Sequence, residues 1–206
     1  MIRQYTAKDA KAFPLLFESM HCDRKRVFVD LLKWDIPHEG GFEIDQYDGP
    51  SARYLILDDP STGEHLGSVR LLPTTGPHLM GDVFSHLCEQ GVPVADDIWE
   101  ITRFVVSPRV SRKDRLRVRN MLGRAMIEWG IAENICAYTC VCELGFLNQL
   151  LASNWSINHL GLPQRIGQTT VGALSILCTR SSIEATDPYW QVDGPVLVES
   201  FPALAA

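Results

Sequence analysis

Three acidic side chains lie within one short segment, at Glu43, Asp45 and Asp48. Glu43 and Asp45 are two positions apart, so they face the same way if the segment is extended. Such closely spaced carboxylates repel one another unless cations neutralise them. A neutralised cluster is useful mainly where it holds a site rigid. From the spacing alone, a run of exposed acids in a loop is the favoured interpretation, and a functional site is the alternative.

A second group of charges is basic and lies between Arg103 and Arg124, where eight basic residues accompany one acidic residue. This segment carries +7, whereas the whole chain carries −6, so the remaining residues carry −13. A positive patch on an acidic body is typical of a protein with an acidic partner, such as a phosphate or an acidic protein surface. A solvated helix face is the alternative. Nucleic acid is disfavoured because the patch is short and the rest of the chain would repel DNA.

The six cysteines show no pattern of a metal site. No Cys-x-x-Cys pair occurs and no histidine follows at zinc-finger spacing, so we expect no metal. Cys136, Cys140 and Cys142 could together offer three thiolates. Small buried residues on a strand, in a reducing compartment, are the favoured interpretation.

The composition is that of a globular protein, with 46% hydrophobic and 21% charged residues among 206, which excludes intrinsic disorder. We expect a single domain over residues 1–206, with 181–206 as a C-terminal extension. No apolar run is long enough for a membrane span, and the first residues lack the apolar core of a secretory signal. These features predict a cytoplasmic protein.

The elements that must position the charged groups follow from hydrophobic periodicity and turn residues. They are a helical region over 7–32, strands over 54–57 and 66–72, a short helix capped by Asp82 and ending before Gly91, a strand over Ile98–Val106, a helix over 118–132, a strand over 135–142, a helix over 144–152 and a strand over 171–179. The late β-α-β unit requires a parallel strand pair. This order favours an α/β fold, an acetyltransferase-like (GNAT-like) α-β-α sandwich with a mixed, mostly antiparallel central sheet.

A series of short motifs then narrows the interpretation. They are Arg24-x-x-x-Phe28, Leu32-Lys33-Trp34-Asp35, Glu43 to Asp48, Gly67 to Pro77, Asp82-x-Phe84 and Trp99 to Phe104. The series resembles the acyl-homoserine-lactone synthases, the autoinducer synthases of bacterial quorum sensing. The resemblance implies two substrates, S-adenosylmethionine and an acyl thioester on acyl carrier protein, and no further cofactor. It implies two products, an N-acyl-homoserine lactone and 5'-methylthioadenosine.

The resemblance also implies roles for individual residues. The catalytic residues would be Glu100, Arg103, Glu43, Asp45, Asp48 and Arg70. The residues that bind S-adenosylmethionine would be Arg24, Phe28, Trp34, Phe84 and Phe104. The three arginines of the matching motifs would neutralise the acids, and the carboxylates and aromatic faces suit a sulfonium and an ammonium group. For Phe28, an ordinary place in the core is the alternative.

The implied reaction makes chemical sense for these side chains. An α-amino group has a pKa of about 7.7–8.0, so a carboxylate base, acting directly or through one water, is adequate, and Glu100 is the candidate. Backbone N–H groups of the same strand would stabilise the oxyanion. Lactone closure is intramolecular and needs only a folded conformer. Because Glu100 and Arg103 are three positions apart, both can join one site only if a β-bulge lies between Ile98 and Val106.

Two further sets of residues concern the acyl donor. We expect Val141, Cys142 and Leu144 to line the acyl chain. The resemblance implies that synthases of 3-oxo products have a threonine on this strand just before the glycine of the next helix. Here cysteine or glutamate stands at that position, which predicts acyl chains without the 3-oxo oxygen. The alternative is that Thr139 supplies the same hydrogen bond from a shifted register. The basic residues predicted to dock the acidic carrier protein are Arg109, Arg112, Lys113, Arg115, Arg117, Arg119 and Arg124.

Two other functions compete with this one. An acetyl-CoA-dependent N-acetyltransferase would share the fold, but it would need a glycine-rich pyrophosphate loop where this chain has no glycine until Gly123. A non-catalytic ligand-sensing module on the same scaffold would have no need of Glu100.

Overall fold

The computed structural model describes residues 1–198. The strands are β1 (Ile2–Thr6), β2 (Arg53–Asp58), β3 (His65–Pro73), β4 (Ile98–Val106), β5 (Ala137–Glu143), β6 (Ile157–His159), β7 (Gln164–Ile166), β8 (Thr169–Leu177) and β9 (Leu197–Val198). The α-helices are α1 (Pro14–Arg24), α2 (Leu79–Asp82), α3 (Arg115–Ala132), α4 (Leu144–Leu151) and α5 (Arg180–Trp190). Two 3₁₀ turns, Ala7–Lys11 and Ser85–Leu87, and a π-helical segment, Lys25–Leu31, complete the elements.

Most predicted elements are confirmed, and β4 has the predicted bounds. The helical region predicted over 7–32 is wrong in part, because it begins with a 3₁₀ turn and ends with a π-helical segment after α1. Strand β1, which precedes it, is additional to the prediction. Asp82 ends α2 rather than capping its start, a position that His78 occupies in extended conformation. The short strands β6 and β7 are additional to the prediction.

The chain forms two compact units. Among the described residues, unit 1 contains 1–70, 103–125 and 193–198. In it β1 pairs antiparallel with β2, with Ile2 opposite Leu57, and β9 pairs parallel with β1. Helix α1 begins with Pro14 at its first position, where a missing N–H costs nothing, and packs Phe17 edge-on against Tyr54 with ring centroids 5.6 Å apart.

A close approach of helix to strand also shapes unit 1. A Cβ at Gly67 on β3 would lie 2.7 Å from Val118 Cγ1, so only glycine lets the start of α3 pack this closely. The first turns of α3, which carry Arg115, Arg117 and Arg119 of the basic segment, are therefore held against the strand that carries Arg70.

Unit 2 contains residues 71–102 and 126–192. Here β4 pairs parallel with β5, with Glu100 opposite Thr139, as the late β-α-β unit predicted. Strand β5 pairs antiparallel with β8, which also carries β6 and β7 antiparallel. Both parallel and antiparallel pairs are thus present, and antiparallel pairs predominate among the registers of the described residues.

The predicted C-terminal extension is divided between the units. Helix α5 belongs to unit 2, where Trp190 packs edge-on against Trp155 at 5.5 Å between ring centroids, while Tyr189 is exposed. Strand β9 belongs to unit 1. The remainder of the extension, 199–206, lies outside the described residues. Whether 1–206 behaves as one domain stays a prediction. Within residues 1–198, every helix is too short or too polar to cross a bilayer.

Candidate active site

Six side chains of unit 1 form a closed set of ion pairs, called the ion-pair network below. They are Arg24, Glu43, Asp45, Asp48, Arg70 and Arg103. Three guanidinium groups meet three carboxylates, so the network is neutral. Each of these side chains is at most 7% exposed. The acids predicted from their spacing and the arginines predicted from the motifs are therefore brought together.

Arg24 is a deeply buried cation of the network, with 1% of its side chain exposed. Its Nε donates to Glu43 Oε2 at 2.6 Å, and its two terminal nitrogens donate to the two oxygens of Asp48 at 2.8 and 2.9 Å. The second contact is a bidentate pair, the strongest arrangement of arginine and carboxylate. Helix α1 places Arg24 at its last position, and the π-helical segment begins directly after it.

Arg70 and Arg103 close the remaining sides. Arg70 on β3 donates from both terminal nitrogens to Asp45 and lies 2.9 Å from Asp48 Oδ1. Arg103 on β4 donates from Nη2 to Glu43 Oε1 at 2.9 Å and to Asp45 Oδ2 at 2.7 Å. The Tyr54 hydroxyl adds a bond to Asp48 Oδ1 at 2.8 Å. Each carboxylate is thus shared between two arginines.

The ionisation of these groups follows from their partners. Burial alone would raise the pKa of Glu43, but Arg24 and Arg103 outweigh it and hold that pKa below its usual range. Burial likewise opposes the charge of Asp48, yet the hydrogen bonds and charge of Arg24 lower its pKa strongly. Burial and the nearby Asp48 raise the pKa of Tyr54, so its hydroxyl remains a donor.

Arg103 reaches the network through an irregular backbone. Its φ is +49°, in the left-handed region that a regular strand does not contain and that non-glycine residues seldom adopt. A residue in this conformation is a feature of one kind of β-bulge. The irregularity expected between Ile98 and Val106 is therefore present, and it lies at Arg103.

An aromatic pair lies beside the network. Phe28, in the π-helical segment, stacks on Trp34 with ring centroids 4.9 Å apart and planes 14° from parallel. The guanidinium carbon of Arg103 lies 5.6 Å from the centre of the Phe28 ring. π-Helical turns are rare and frequent at functional sites. Phe28 is buried, Trp34 is half-buried, and Phe104 is half-buried on β4.

Glu100 is positioned by unit 2 and is fully buried. Its carboxylate accepts hydrogen bonds from the backbone N–H groups of Leu79 at 2.8 Å and Met80 at 2.6 Å, at the start of α2. It therefore fixes the loop that begins this helix. No pattern of side chains predicts this contact, because both donors are backbone N–H groups of apolar residues.

Two buried polar atoms near this carboxylate have no hydrogen-bond partner among the described residues, Thr139 Oγ1 and His78 Nε2. Thr139 is opposite Glu100 in the parallel pair, so both side chains lie on the same face of the sheet. His78 caps α2, and its Nδ1 donates to the Gly76 carbonyl at 2.8 Å, which leaves Nε2 as an acceptor. We call His78, Leu79, Met80, Glu100 and Thr139 the Glu100 cluster. Unpaired buried polar atoms are costly and indicate where a ligand or water binds.

The residues predicted to line the acyl chain are not all on one face. Val141 shares the face of Thr139 and packs against the apolar cluster of Met80, Leu87, Cys88 and Ala173. Cys142 is on the opposite face of this regular strand, with Cys140, whose thiol lowers the pKa of Cys142 by hydrogen bonding. Leu144 is the exposed first residue of α4. The prediction that Val141 and Cys142 line one pocket is therefore wrong, because the two side chains lie on opposite faces of the strand. Phe84, half-buried, packs against the same apolar cluster.

The basic segment of unit 1 is only partly a surface patch. Arg112, Lys113 and Arg117 are exposed, and Arg115 and Arg119 are half-buried. The docking assignment of Arg124 is corrected because that residue is buried, whereas the side chain of Arg109 is 34% exposed and its docking role stays a prediction. Arg124 is only 8% exposed. Arg109 donates to the buried Asp23 at 3.1 Å and to the His65 carbonyl at 2.9 Å, so its charge is already neutralised within the chain.

Comparisons with known proteins agree on one family. A model of the autoinducer synthase family matches residues 11–186. An acyl-homoserine-lactone synthase of Agrobacterium fabrum is 35% identical over 176 residues, which is 83% of this chain and 83% of that protein.

Solved structures give the same picture. A CoA-dependent acyl-homoserine lactone synthase, MesI, is 27% identical with a TM-score of 0.85, covering 97% of this chain and 100% of that one. TofI in a ternary complex with an inhibitor and MTA is 27% identical with a TM-score of 0.70, covering 83% of this chain and 90% of that one. An N-acetyltransferase from Lactobacillus plantarum, at 15% identity, a TM-score of 0.54, and coverage of 86% and 99%, shares the fold alone. The acetyltransferase-like fold is thereby confirmed.

Proposed function

The chain belongs to the autoinducer synthase family, an acyltransferase family, and on this basis we propose that it makes an N-acyl-homoserine lactone from S-adenosylmethionine and an acyl thioester. The acyl group is transferred from acyl carrier protein to the α-amine of S-adenosylmethionine. The substrate's own carboxylate then attacks the carbon next to the sulfonium, closes the lactone and expels 5'-methylthioadenosine. The cytoplasmic location expected from the sequence is part of this proposal.

The ion-pair network is the observation that carries the proposal. S-Adenosylmethionine has two cationic groups and one carboxylate. A neutral, rigid set of guanidinium and carboxylate groups bordered by stacked aromatic rings can recognise both signs of charge without reorganising. Each carboxylate of the network is held by two arginines, so the network is a preformed site rather than one that ligand must assemble. That TofI was solved with MTA, the thioether product of this reaction, supports the assignment.

Glu100 is proposed as the base that removes a proton from the amine, directly or through one water. Each of its oxygens accepts a backbone N–H. The two contacts fix the carboxylate in orientation, which is what a general base requires. The unpartnered Thr139 hydroxyl on the same face is available to a polar atom of the acyl donor.

Carrier protein is proposed as the donor because Arg112, Lys113 and Arg117 are exposed and close in sequence on unit 1. A cationic surface of this kind suits an acidic protein. Coenzyme A is the second candidate, and a specific observation favours it: MesI is described as CoA-dependent and resembles this chain over nearly its whole length.

One experiment compares the donors and tests the reaction. The same acyl chain is supplied as its carrier-protein and its coenzyme A thioester, with S-adenosylmethionine, and products are followed by mass spectrometry. We expect N-acyl-homoserine lactone from both donors at high concentration and a lower KM for the carrier-protein thioester. A lower KM for the coenzyme A thioester would assign coenzyme A, rather than carrier protein, as the acyl donor. N-Acetylation of another amine with no lactone from either donor would contradict the proposed function.

A further inference from the structure

A second buried polar cluster lies in unit 1, outside the ion-pair network. Asp23 and His65 are each 0% exposed, and Ser68 is 2% exposed. His65 Nδ1 lies 2.9 Å from Asp23 Oδ2, and His65 Nε2 lies 2.9 Å from Ser68 Oγ. The backbone N–H of His65 donates to Ser19 Oγ at 2.9 Å. Helix α1 and strand β3 are joined here by a complete set of hydrogen bonds.

The direction of these bonds follows from the chemistry of the groups. An ionised Asp23 only accepts, so Nδ1 of His65 carries the proton and Nε2 accepts from the Ser68 hydroxyl. Burial lowers the pKa of His65, consistent with a neutral ring. The cluster then contains one buried negative charge, that of Asp23.

Arg109 supplies the matching positive charge. Its Nη1 donates to Asp23 Oδ1 at 3.1 Å and its Nη2 donates to the His65 carbonyl at 2.9 Å. The Arg109 backbone N–H also donates to Ser107 Oγ. The other cation near Asp23 is Arg26, at 3.3 Å, with half its side chain exposed. Arg109 therefore ties the turn at 107–110 to α1 and β3.

This turn joins two functional parts of unit 1. On its N-terminal side, β4 carries Arg103 of the ion-pair network. On its C-terminal side begin the exposed cations Arg112, Lys113 and Arg117. Asp23 itself immediately precedes Arg24, which holds Glu43 and Asp48. One buried carboxylate thus anchors both the network and the entrance to the basic segment.

We propose that Asp23 and His65 are positioning residues for acyl transfer, which act by holding Arg109 and through it the segment that receives the acyl donor. This inference rests on the proposed function. Arg109 is an internal anchor and not a docking cation. Its removal disturbs the placement of the donor without removing a charge that the donor meets.

A docking cation and an anchoring cation differ in their salt dependence. A charge that meets an acidic partner contributes to the slope of log KM against log salt concentration. An ion pair within the chain whose carboxylate is fully buried, as Asp23 is beside the 34% exposed side chain of Arg109, is screened less. We compare Arg109→Gln, Asp23→Asn and the double variant with Arg112→Gln as the matched exposed control. Arg112→Gln should raise the donor KM a few-fold and flatten the salt slope.

For the anchored residues the expected pattern is different. Arg109→Gln and Asp23→Asn should each lower kcat/KM for the donor by about tenfold to a hundredfold, as a displaced positioning element does, with the salt slope unchanged. The double variant should be no worse than the worse single variant, because both changes break one contact. A flattened slope for Arg109→Gln, or full additivity, would overturn the inference.

A second measurement is independent of turnover. Hydrogen exchange followed by mass spectrometry should show faster exchange at 107–114 in Asp23→Asn, although Asp23 is distant in sequence, and no change there in Arg112→Gln. Faster exchange without any lactone from the wild-type protein would refute the proposed function and leave the anchor standing. Unchanged exchange in a folded Asp23→Asn protein would refute the anchor.

Discussion

The ion-pair network and the Glu100 cluster are both buried and polar, but they differ in how far they are satisfied. In the network three cations meet three anions, and each carboxylate bonds to two arginines. In the Glu100 cluster the carboxylate is anchored, yet Thr139 Oγ1 and His78 Nε2 have no partner among the described residues. The difference indicates a division of work. The side chains of the network satisfy one another, whereas we propose that a bound substrate completes the Glu100 cluster.

Breaking the network should give the largest effect on stability. Arg70→Ala leaves Asp45 and Asp48 buried with less positive charge, and such uncompensated charge costs about 3–5 kcal/mol. The expected result is a loss of that size in the free energy of unfolding, measured with urea, together with loss of lactone. Arg112→Ala, at an exposed cation, should change the same free energy by about 0.5 kcal/mol or less. An active Arg70→Ala protein of wild-type stability would show that the network is solvated.

Altering the Glu100 cluster should affect catalysis more than folding. Glu100→Gln keeps the shape of the side chain but removes the proposed proton acceptor, so lactone formation should fall by about 10²–10⁴-fold. The amide group of glutamine can accept from only one of the two N–H donors, so some loss of stability accompanies the change, smaller than that of Arg70→Ala. Full turnover by this variant at neutral pH would assign the base elsewhere.

Lowering the pH should reduce the free energy of unfolding through the carboxylates of the ion-pair network. The pKa values of Glu43 and Asp48 are lower in the folded protein than in the unfolded chain, where they are about 4. Their contribution to stability is therefore complete above the unfolded values and is lost as the pH falls through and below them. Urea unfolding between pH 7 and pH 3 should show this decline. In Asp48→Asn the decline should be shallower, and an equally steep decline in that variant would exclude Asp48 as a source.

The unpartnered hydroxyl should give the smallest effect on stability. Thr139→Val replaces a buried hydroxyl that has no partner among the described residues with a methyl group, so the free energy of unfolding should not fall and should rise if the hydroxyl's desolvation cost is removed. Thr74→Val is the matched control, because Thr74 Oγ1 donates to the Ile98 carbonyl at 2.8 Å, and it should cost about 1–3 kcal/mol. If the hydroxyl contacts the donor, Thr139→Val should also reduce use of acyl chains with an oxygen at carbon 3. An unchanged product spectrum would place Thr139 outside the acyl site.

The same contrast explains what could be predicted from the sequence. The ion-pair network was predictable because its acids are close in sequence and its arginines lie in the motifs, and β4 was predictable from its run of β-branched and aromatic residues. Asp23 and His65 lie 42 residues apart with no local signal that joins them. The N–H groups of Leu79 and Met80 that bind Glu100 are invisible to side-chain patterns. The helical pattern over 7–32 did not reveal the change from α- to π-helix, and β1, which lies before that region, was not predicted. Periodicity reports which residues are buried, but it does not report backbone donors or long-range partners.

The acyl-chain prediction shows the limit of spacing in another way. Val141 and Cys142 were grouped because they are adjacent, but adjacent residues of a strand face opposite sides. Strand β5 is regular from Ala137 to Glu143, so Val141 shares its face with Thr139 and not with Cys142. The charge of the basic segment follows directly from the sequence. The burial of Arg124 and the pairing of Arg109 with Asp23 depend on the tertiary structure, so the sequence alone does not predict them.

The stoichiometry of a single turnover tests the proposed lactone synthesis most directly. S-Adenosylmethionine labelled in both its methyl group and its aminobutyryl carbons is mixed with excess enzyme and an acyl thioester, and both labelled products are counted by mass spectrometry. We expect one molecule of 5'-methylthioadenosine for each molecule of N-acyl-homoserine lactone, and neither product should accumulate without the other. Acylated S-adenosylmethionine that never closes, or 5'-methylthioadenosine released without an acylated lactone, would contradict the proposed synthesis.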